Sequence, residues 1–465
     1  MPRENYKFNF VYTGIFVLIL YSCISFVIIG NKSYYESWAL ITSVLATIEM
    51  LQQQYTLSRF KIPLIDFRRA FLIFHYVFFF GRIIVYGYMP NAFVFWDLIG
   101  RFNNETLLKM GLFSICAIQA IFIGLFYNKR SITFDNSIKS TSLRSVGFIC
   151  LFIGVPSQLI TDYYRIKSTY SAGSYGELQL NLGIIDDLSV LSISGIILLV
   201  CSNTLSKRTI RIMILSALSY FFFVMIFSGD RRYQMSAIIC LFVLLVKKTE
   251  SITIHSPKKL FVLFICGLLT LNLLYIIREN RISNLRSIIS EISNNPLRLL
   301  SFEAFFETLV EFGISFFSLC NIGKFFPSVY PFQLGRTFMY SFASLLPLGL
   351  MGDTSFYDYA SYSTILNRDQ KLRVGATLIG DFYSNFGWFS CIFILLFCIF
   401  ISSLIFHKSK TGAQWDEARY LILYYVLASS VRATFAQEIR PIIIGVFFPW
   451  ILVYLFGARK RENTD

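Results

Sequence analysis

Charge is scarce in this 465-residue chain: Asp, Glu, Lys and Arg make up 15% of it, against 55% hydrophobic residues. That balance excludes an ordinary soluble domain, in which about a quarter of the residues are charged. Histidine is scarcer still. His75, His255 and His407 are scattered, so no histidine cluster is available to hold a metal. Cysteine never occurs as a Cys-x-x-Cys pair, and of Cys23, Cys116, Cys150, Cys201, Cys240, Cys266, Cys320, Cys391 and Cys398 all but Cys320 lie inside apolar runs. They read as small core residues, which excludes a disulfide framework and a thiolate metal site. Low-complexity stretches and internal repeats are missing too, so the longer connections read as folded elements and not as linkers.

Apolar sequence is what the chain has in quantity. Runs of about 15 to 22 residues recur from end to end, and a helix needs ~20 residues to cross a hydrocarbon core. The expected class is therefore all-α, a polytopic integral membrane protein with about twelve transmembrane helices and a large helical extracytoplasmic loop. Spans are expected near 11–29, 35–51, 70–86, 107–127, 145–161, 183–202, 212–227, 233–246, 260–277, 382–406, 419–434 and 442–456. The first follows Arg3 and Lys7 but no small-x-small cleavage site comes after it, so it reads as a retained span and not as a signal peptide.

With a cytoplasmic N-terminus, alternate connections collect Arg59, Lys61, Arg68 and Arg69; Lys129, Arg130, Lys139 and Arg144; and Lys207, Arg208 and Arg211. The series continues with Lys247, Lys248, Lys258 and Lys259, then Lys408, Lys410 and Arg419, and ends with Arg459, Lys460 and Arg461. Basic loops on one side are what the positive-inside rule asks for, and they place both termini in the cytoplasm. The net charge of +15 is thereby spent largely on loops facing anionic headgroups, so the bilayer and not nucleic acid is the expected partner. Three regions result: helices one to nine over 1–277, a large outward loop over 278–379, and helices ten to twelve over 380–465.

The cations outside the basic loops are mostly arginine. A planar guanidinium grips phosphate oxygens bidentately and loses less on desolvation than an ammonium, which points to a phosphate or diphosphate ligand. The plainer reading of any one of them is an arginine that snorkels and pairs with a loop carboxylate. Arg231 and Arg232 sit in the tight turn Phe227-Ser-Gly-Asp-Arg-Arg232. Arg432 lies inside the eleventh apolar run, where a charge costs at least ~2.5 kcal/mol on insertion scales and so reads as functional or paired. Glu438 and Arg440 flank the turn before Pro441. Asp186 and Asp187, at the end of span six, are candidate partners for such arginines, and Glu49 in span two reads as a local hydrogen-bonding residue.

Two outward connections are long, 162–182 and about 278–379. The second begins with Arg278, Arg281, Arg286 and Arg298 and then carries Glu303, Glu307 and Glu311 among Phe302, Phe305, Phe306, Leu309 and Val310. Spacings of four place the three carboxylates on one helical face. That face is either a solvated surface of an interfacial helix or the source of a general base beside arginines. Tyr340 to Leu350, broken by Pro347, is too short to span and reads as re-entrant.

Taken together these elements resemble the Wzy-type O-antigen polysaccharide polymerases, the oligosaccharide repeat unit polymerases of bacterial surface glycans. The resemblance rests on the order of Glu307-Thr-Leu-Val-Glu311-Phe-Gly-Ile-Ser315, Tyr330-Pro-Phe-Gln-Leu-Gly-Arg336, Leu345-Leu-Pro347 and Gly380-Asp-Phe-Tyr-Ser-Asn-Phe-Gly387. The Phe227 to Arg232 turn is similar to the family's Gly-x-Arg turn, and Arg165 to Gly176 fits its Arg-x10-Gly spacing. Asp381 stands where the family pattern calls for Glu, and the long loop has no second Arg-x10-Gly element.

The resemblance implies a metal-independent, inverting-type glycosyl transfer without cofactor at the outer face of the bacterial inner membrane. A growing glycan leaves its undecaprenyl diphosphate and joins an incoming lipid-linked repeat unit. Arg231, Arg232, Arg432 and Arg278 are then expected to hold diphosphate, with Arg165 and Arg336 on donor or acceptor. Arg440 and Asp381 join the substrate-binding set, and Glu311, then Glu307, is the expected base. A chain-length regulator and a flippase are the partners it implies. An O-antigen ligase would share spans and arginines, but that family's loop carries a functional histidine and this loop has none. A flippase or other secondary transporter would show two similar halves, and a scaffold would give no reason for Arg432.

Overall fold

The computed structural model describes residues 2–63, 65–90, 100–127, 139–171, 183–228, 232–249, isolated positions between 265 and 299, 301–345, 356, 359–372, 374–407 and 413–462; within these, side chains of 2–10, 168–171, 228, 232, 249, 303–304 and 457–462 lie outside the description. Among the described residues the fold is helical, without a strand. The helices are α1 (Pro2–Gly30), α2 (Trp38–Arg59), α3 (Phe67–Tyr88), α4 (Asn104–Phe126), α5 (Thr141–Ser171), α6 (Ile184–Cys201), α7 (Lys207–Ser228) and α8 (Arg232–Thr249). After them come α9 (Phe302–Phe312), α10 (Ser315–Phe325), α11 (Arg336–Ala343), α12 (Tyr362–Gln370), α13 (Leu378–Phe386), α14 (Ser390–Phe406), α15 (Ala413–Ser429), α16 (Phe435–Ile442) and α17 (Phe448–Glu462).

Nine segments among the described residues are long and apolar enough to cross a membrane. Eight of them coincide with expected spans: Val11–Gly30, Phe67–Tyr88, Asn104–Phe126, Thr141–Lys167, Ile184–Cys201, Lys207–Phe227, Leu378–Phe406 and Phe435–Phe456. The ninth, Phe305–Phe325, falls where the sequence reading puts an outward loop, and it is built from α9 and α10 with a break at Gly313 and Ile314. Helices α2, α8 and α15 occupy the other expected spans but fall short of that measure, and most of 260–277 lies outside the description. Large apolar side chains such as Phe152, at 84% exposure, face outward along these helices. A helix apolar on its outward face has lipid as its solvent; the protein is membrane-embedded.

The chain divides into two compact units that do not follow chain order. Unit 1 takes Met1–Arg130, Leu309–Phe406 and Ser430–Ile439, and within it the almost wholly buried α4 packs against α1, α2, α3, α10 and α14. Unit 2 takes Ser131–Thr308, His407–Ser429 and Arg440–Asp465. Its tightest pair is α5 with α6, and α15 packs against α6 and α8. At Gly154 a Cβ would collide with the Ser192 and Leu191 backbone, so the α5–α6 approach needs glycine there, as close helix pairs in lipid generally do.

Several cations assigned to basic loops are buried within helices instead. Arg68 is paired with Asp66 at 2.8 Å and lies over the rings of Phe126 and Phe406. Lys248 is bonded to Glu417 at 2.5 Å and to Asn203 at 3.1 Å, with side-chain exposures of 2% for Lys248 and 1% for Glu417. Arg419 is 6% exposed and 3.2 Å from Asp416. Charge sign along the sequence located the ends of these helices, but burial came from carboxylate partners that the sign rule does not consider.

Candidate functional site

Arg432 does not lie in a continuous helix. The helix of the eleventh expected span stops at Ser429, Ser430–Arg432 forms one 3-10 turn, and α16 starts at Phe435. The break is built locally: Thr434 N–H donates to Gln437 Oε1 at 3.2 Å, three residues on, as in a capping box. It is also held from outside, because Asp381 of α13, fully buried, accepts the Phe435 N–H on Oδ2 at 2.6 Å. Phe338, Phe342 and Phe397 pack around the Phe435 ring with centroids at 5.1, 5.5 and 6.2 Å.

From this turn the Arg432 guanidinium lies 5.5 Å from the centroid of the Phe78 ring. That geometry is attractive because the ring face is electronegative. Phe78 also meets Phe312, ring centroids 5.3 Å apart, and so links the Arg432 turn to the end of α9. Glu311, half-buried, precedes Phe312, and Glu307 stands one turn earlier on the same helix. Beyond it, Gly313 lies so close to the Arg82 backbone that a Cβ would collide with it. Arg82 is 8% exposed and one turn from Phe78, so the two share a face of α3. Unit 1 therefore sets the Arg432 guanidinium over Phe78, carries Arg82 on α3 and Glu311 on α9 where those helices meet, and fixes the turn of Arg432 through Asp381.

Arg82 is the functional candidate that sequence reasoning missed. The criterion that singled out Arg432, a charge within an apolar run, applies equally to it. Asp381, expected among substrate ligands, commits Oδ2 to a backbone N–H and leaves Oδ1 buried without a hydrogen bond among the described residues.

Arg336 bonds outside this group, although Phe338 of the same helix packs on Phe435. It begins α11, is exposed, and bonds through Nε and Nη2 to the Tyr340 hydroxyl at 3.0 and 2.8 Å. Its guanidinium also faces the Tyr340 and Tyr359 rings at 5.2 and 5.8 Å.

Unit 2 gathers a second set at the ends of α5 and α6. Arg165 bonds through Nη2 to Asp186 Oδ1 at 2.7 Å, its Nη1 lies 3.8 Å from Asp162 Oδ1, and its guanidinium faces the Tyr233 ring at 5.4 Å. Asp162 in turn accepts from Gln158 Nε2 and from the Tyr220 hydroxyl, each at 2.7 Å. Arg440 Nη1 bonds to Asp187 Oδ2 at 3.1 Å. The two aspartates read as arginine partners do take arginines, and in the first turn of α6 they also meet the positive end of its helix dipole. With Asp162, Asp186 and Asp187 set against Arg165 and Arg440, an anionic ligand here would have to displace carboxylates.

Arg231 and Arg278 lie outside the described residues, Arg232 is described in its main chain only, and the Arg165 to Gly176 element and the Pro347 stretch are described only in part. Among the described residues no group of three or more His, Cys, Asp or Glu could hold a metal ion. No protein family, curated protein or solved structure matches this chain.

Proposed function

We propose that the protein is a polysaccharide polymerase of the Wzy kind, joining undecaprenyl-diphosphate-linked oligosaccharide repeat units at the outer face of a bacterial inner membrane. In this reading the chain crosses the membrane about twelve times with both termini cytoplasmic, as its basic loops suggest. The observation that carries it is the Arg432 guanidinium over Phe78 at a helix break, with Phe78 also meeting Phe312 beside Glu311 and Arg82 buried one turn along α3. Intramembrane charges at helix breaks mark binding sites in membrane proteins.

The chemistry asks for cations where the leaving diphosphate gathers charge and a carboxylate where an acceptor hydroxyl loses its proton. Glu311, half-buried, takes that proton. The freed oxygen bonds to the anomeric carbon of the growing glycan from the face opposite the diphosphate. The anomeric C–O bond breaks, its electron pair leaves on the diphosphate oxygen, and configuration inverts. Arg82 and Arg432 stabilise the departing charge, and their planar guanidinium groups match its oxygens better than lysine would.

The test is deletion of the gene in its host, with the surface glycan resolved on a gel. The deletion is complemented by the wild-type chain and by Arg432→Ala and Arg82→Ala at matched membrane levels. A lost polymer ladder with single repeat units still on their acceptor supports a polymerase, and failure of both variants supports the site. If single units vanish as well and lipid-linked material accumulates, a ligase or flippase replaces this reading. An unchanged ladder removes all three.

A further inference from the structure

The proposed chemistry leaves unused a polar group deep in unit 1, where α1 to α4 converge on Glu49. Glu49, Gln53 and Gln119 are 0% exposed and Tyr76 is 3% exposed. Gln53 Nε2 donates to Glu49 Oε1 and to Gln119 Oε1, both at 3.0 Å. Among the described residues Gln53 Oε1 is then left without a hydrogen bond, and Glu49 Oε2 has only the Tyr76 hydroxyl within reach, in a geometry short of a well-formed bond. Tyr21 of α1 and Cys116 of α4 face the same carboxylate. The thiol of Cys116 is in turn approached by Ser22 and Ser25 at 3.8 and 3.9 Å.

Glu49 forms no ion pair among the described residues. The nearby basic groups are otherwise engaged. His75, beside Tyr76, turns Nδ1 to the Phe71 carbonyl at 2.8 Å and packs its ring between Phe71 and Phe79. Arg69 bonds to Gln54, Ser58 and the Ile62 carbonyl. A carboxylate and several oxygen lone pairs thus share an apolar interior without a counter-charge, an arrangement that native structures keep only when something satisfies it.

The donors are all hard oxygens, which suit a hard cation and not a thiol- or imidazole-seeking metal. One carboxylate balances one positive charge, and the closed packing favours a small ion. We propose that Glu49, Gln53, Gln119 and Tyr76 form a binding site for a sodium-sized monovalent cation that ties α2, α3 and α4 together.

The test is thermal unfolding of the full-length chain in detergent, titrated with sodium chloride against choline chloride at constant ionic strength and at two pH values. A cation that binds only the folded state should raise the unfolding midpoint with sodium and not with choline. At a hundred times its dissociation constant it increases the folding equilibrium constant about a hundredfold. Glu49→Gln, which keeps the shape and removes the charge, should flatten the response. Tyr76→Phe, which removes one oxygen, should shift it to higher sodium and provides a second variant should the first fail to fold. Coincident sodium and choline curves, or a full sodium response in Glu49→Gln, overturn the proposal. A midpoint that follows pH and ignores sodium also overturns it, assigning the balancing charge to a proton. None of these readings involves glycan, so they stand or fall apart from the polymerase.

Discussion

The two units carry charge inside an apolar chain in different ways. In unit 2, Lys248 and Glu417 project from the continuous helices α8 and α15 and close on each other at 2.5 Å, almost without exposure. In unit 1, Arg432 sits where a helix breaks, half-exposed over Phe78, and Glu311 lies half-buried just before the break at Gly313. Both sets satisfy the rule that an intramembrane charge is paired or functional. The backbone differs between them. A continuous helix has already satisfied its own amides and carbonyls, whereas a broken one has backbone groups that need partners from outside it, as the Phe435 N–H has in Asp381.

That contrast is open to attack from the closed pair first. Lys248→Met leaves Glu417 charged and buried and should cost about 3–5 kcal/mol in unfolding free energy. The double variant Lys248→Met with Glu417→Leu should recover most or all of that loss, because two well-packed apolar residues carry no desolvation penalty. Unfolding in detergent reads both. A double variant no more stable than the single one would mean that the pair does more than neutralise itself.

On the proposed function, Arg432→Ala should do the reverse, with its unfolding midpoint close to wild type while the proposed polymer formation falls about 10²- to 10³-fold, the usual loss when one donor to a developing negative charge is removed. Arg432→Lys should recover part of it, since a lysine retains the charge without the bidentate fork. A collapse in stability for Arg432→Ala would place the residue with Lys248, as structure and not as site.

How far this contrast could be read in the sequence depends on the element. The helical membrane class and eight of the spans follow from run length, because hydropathy is a local property. Asp186 and Asp187 were legible as arginine partners from their place at a helix end. The break after Ser429 is less so: Thr434 and Gln437 carry a local capping signal, but Val431, Ala433 and Phe435 continue an apolar run around it, and the Asp381 carboxylate that also holds the Phe435 N–H is 54 residues distant in sequence. The pairing of Lys248 with Glu417 is not legible, since the sign of a charge in a loop carries no information about a carboxylate elsewhere in the chain. Arg82 is legible by the same criterion as Arg432, a charge inside an apolar span.

Asp381 tests whether the break itself matters. Asp381→Ala leaves the Phe435 N–H unpartnered in a buried place and should cost about 1–3 kcal/mol, with a fall in polymer formation as the Arg432 turn loosens. Asp381→Asn retains an acceptor oxygen and should lose less of both. If Asp381→Asn is as inactive as Asp381→Ala while remaining stable, the carboxylate meets substrate and is more than a support for the turn.

The smallest effect should come from the exposed charges of unit 1. Arg368 Nε bonds to Asp369 Oδ1 at 2.6 Å, and its guanidinium lies 4.8 Å from the Tyr359 ring, with side-chain exposures of 39% for Arg368 and 31% for Asp369. The hydrogen bond from Arg368 holds the Asp369 carboxyl below the usual carboxylate range. A depressed carboxyl contributes stability above its unfolded value of ~3.9 and loses it as pH falls through the folded one. Solvent screens the pair, so Asp369→Asn should change unfolding free energy by no more than about 1 kcal/mol at neutral pH. That difference should shrink with added salt and disappear as pH falls through the depressed folded-state value, where wild type is protonated as well. A larger or salt-insensitive loss would mean that this exposed pair, and not only the groups at the helix breaks, is held in a dry and organised setting.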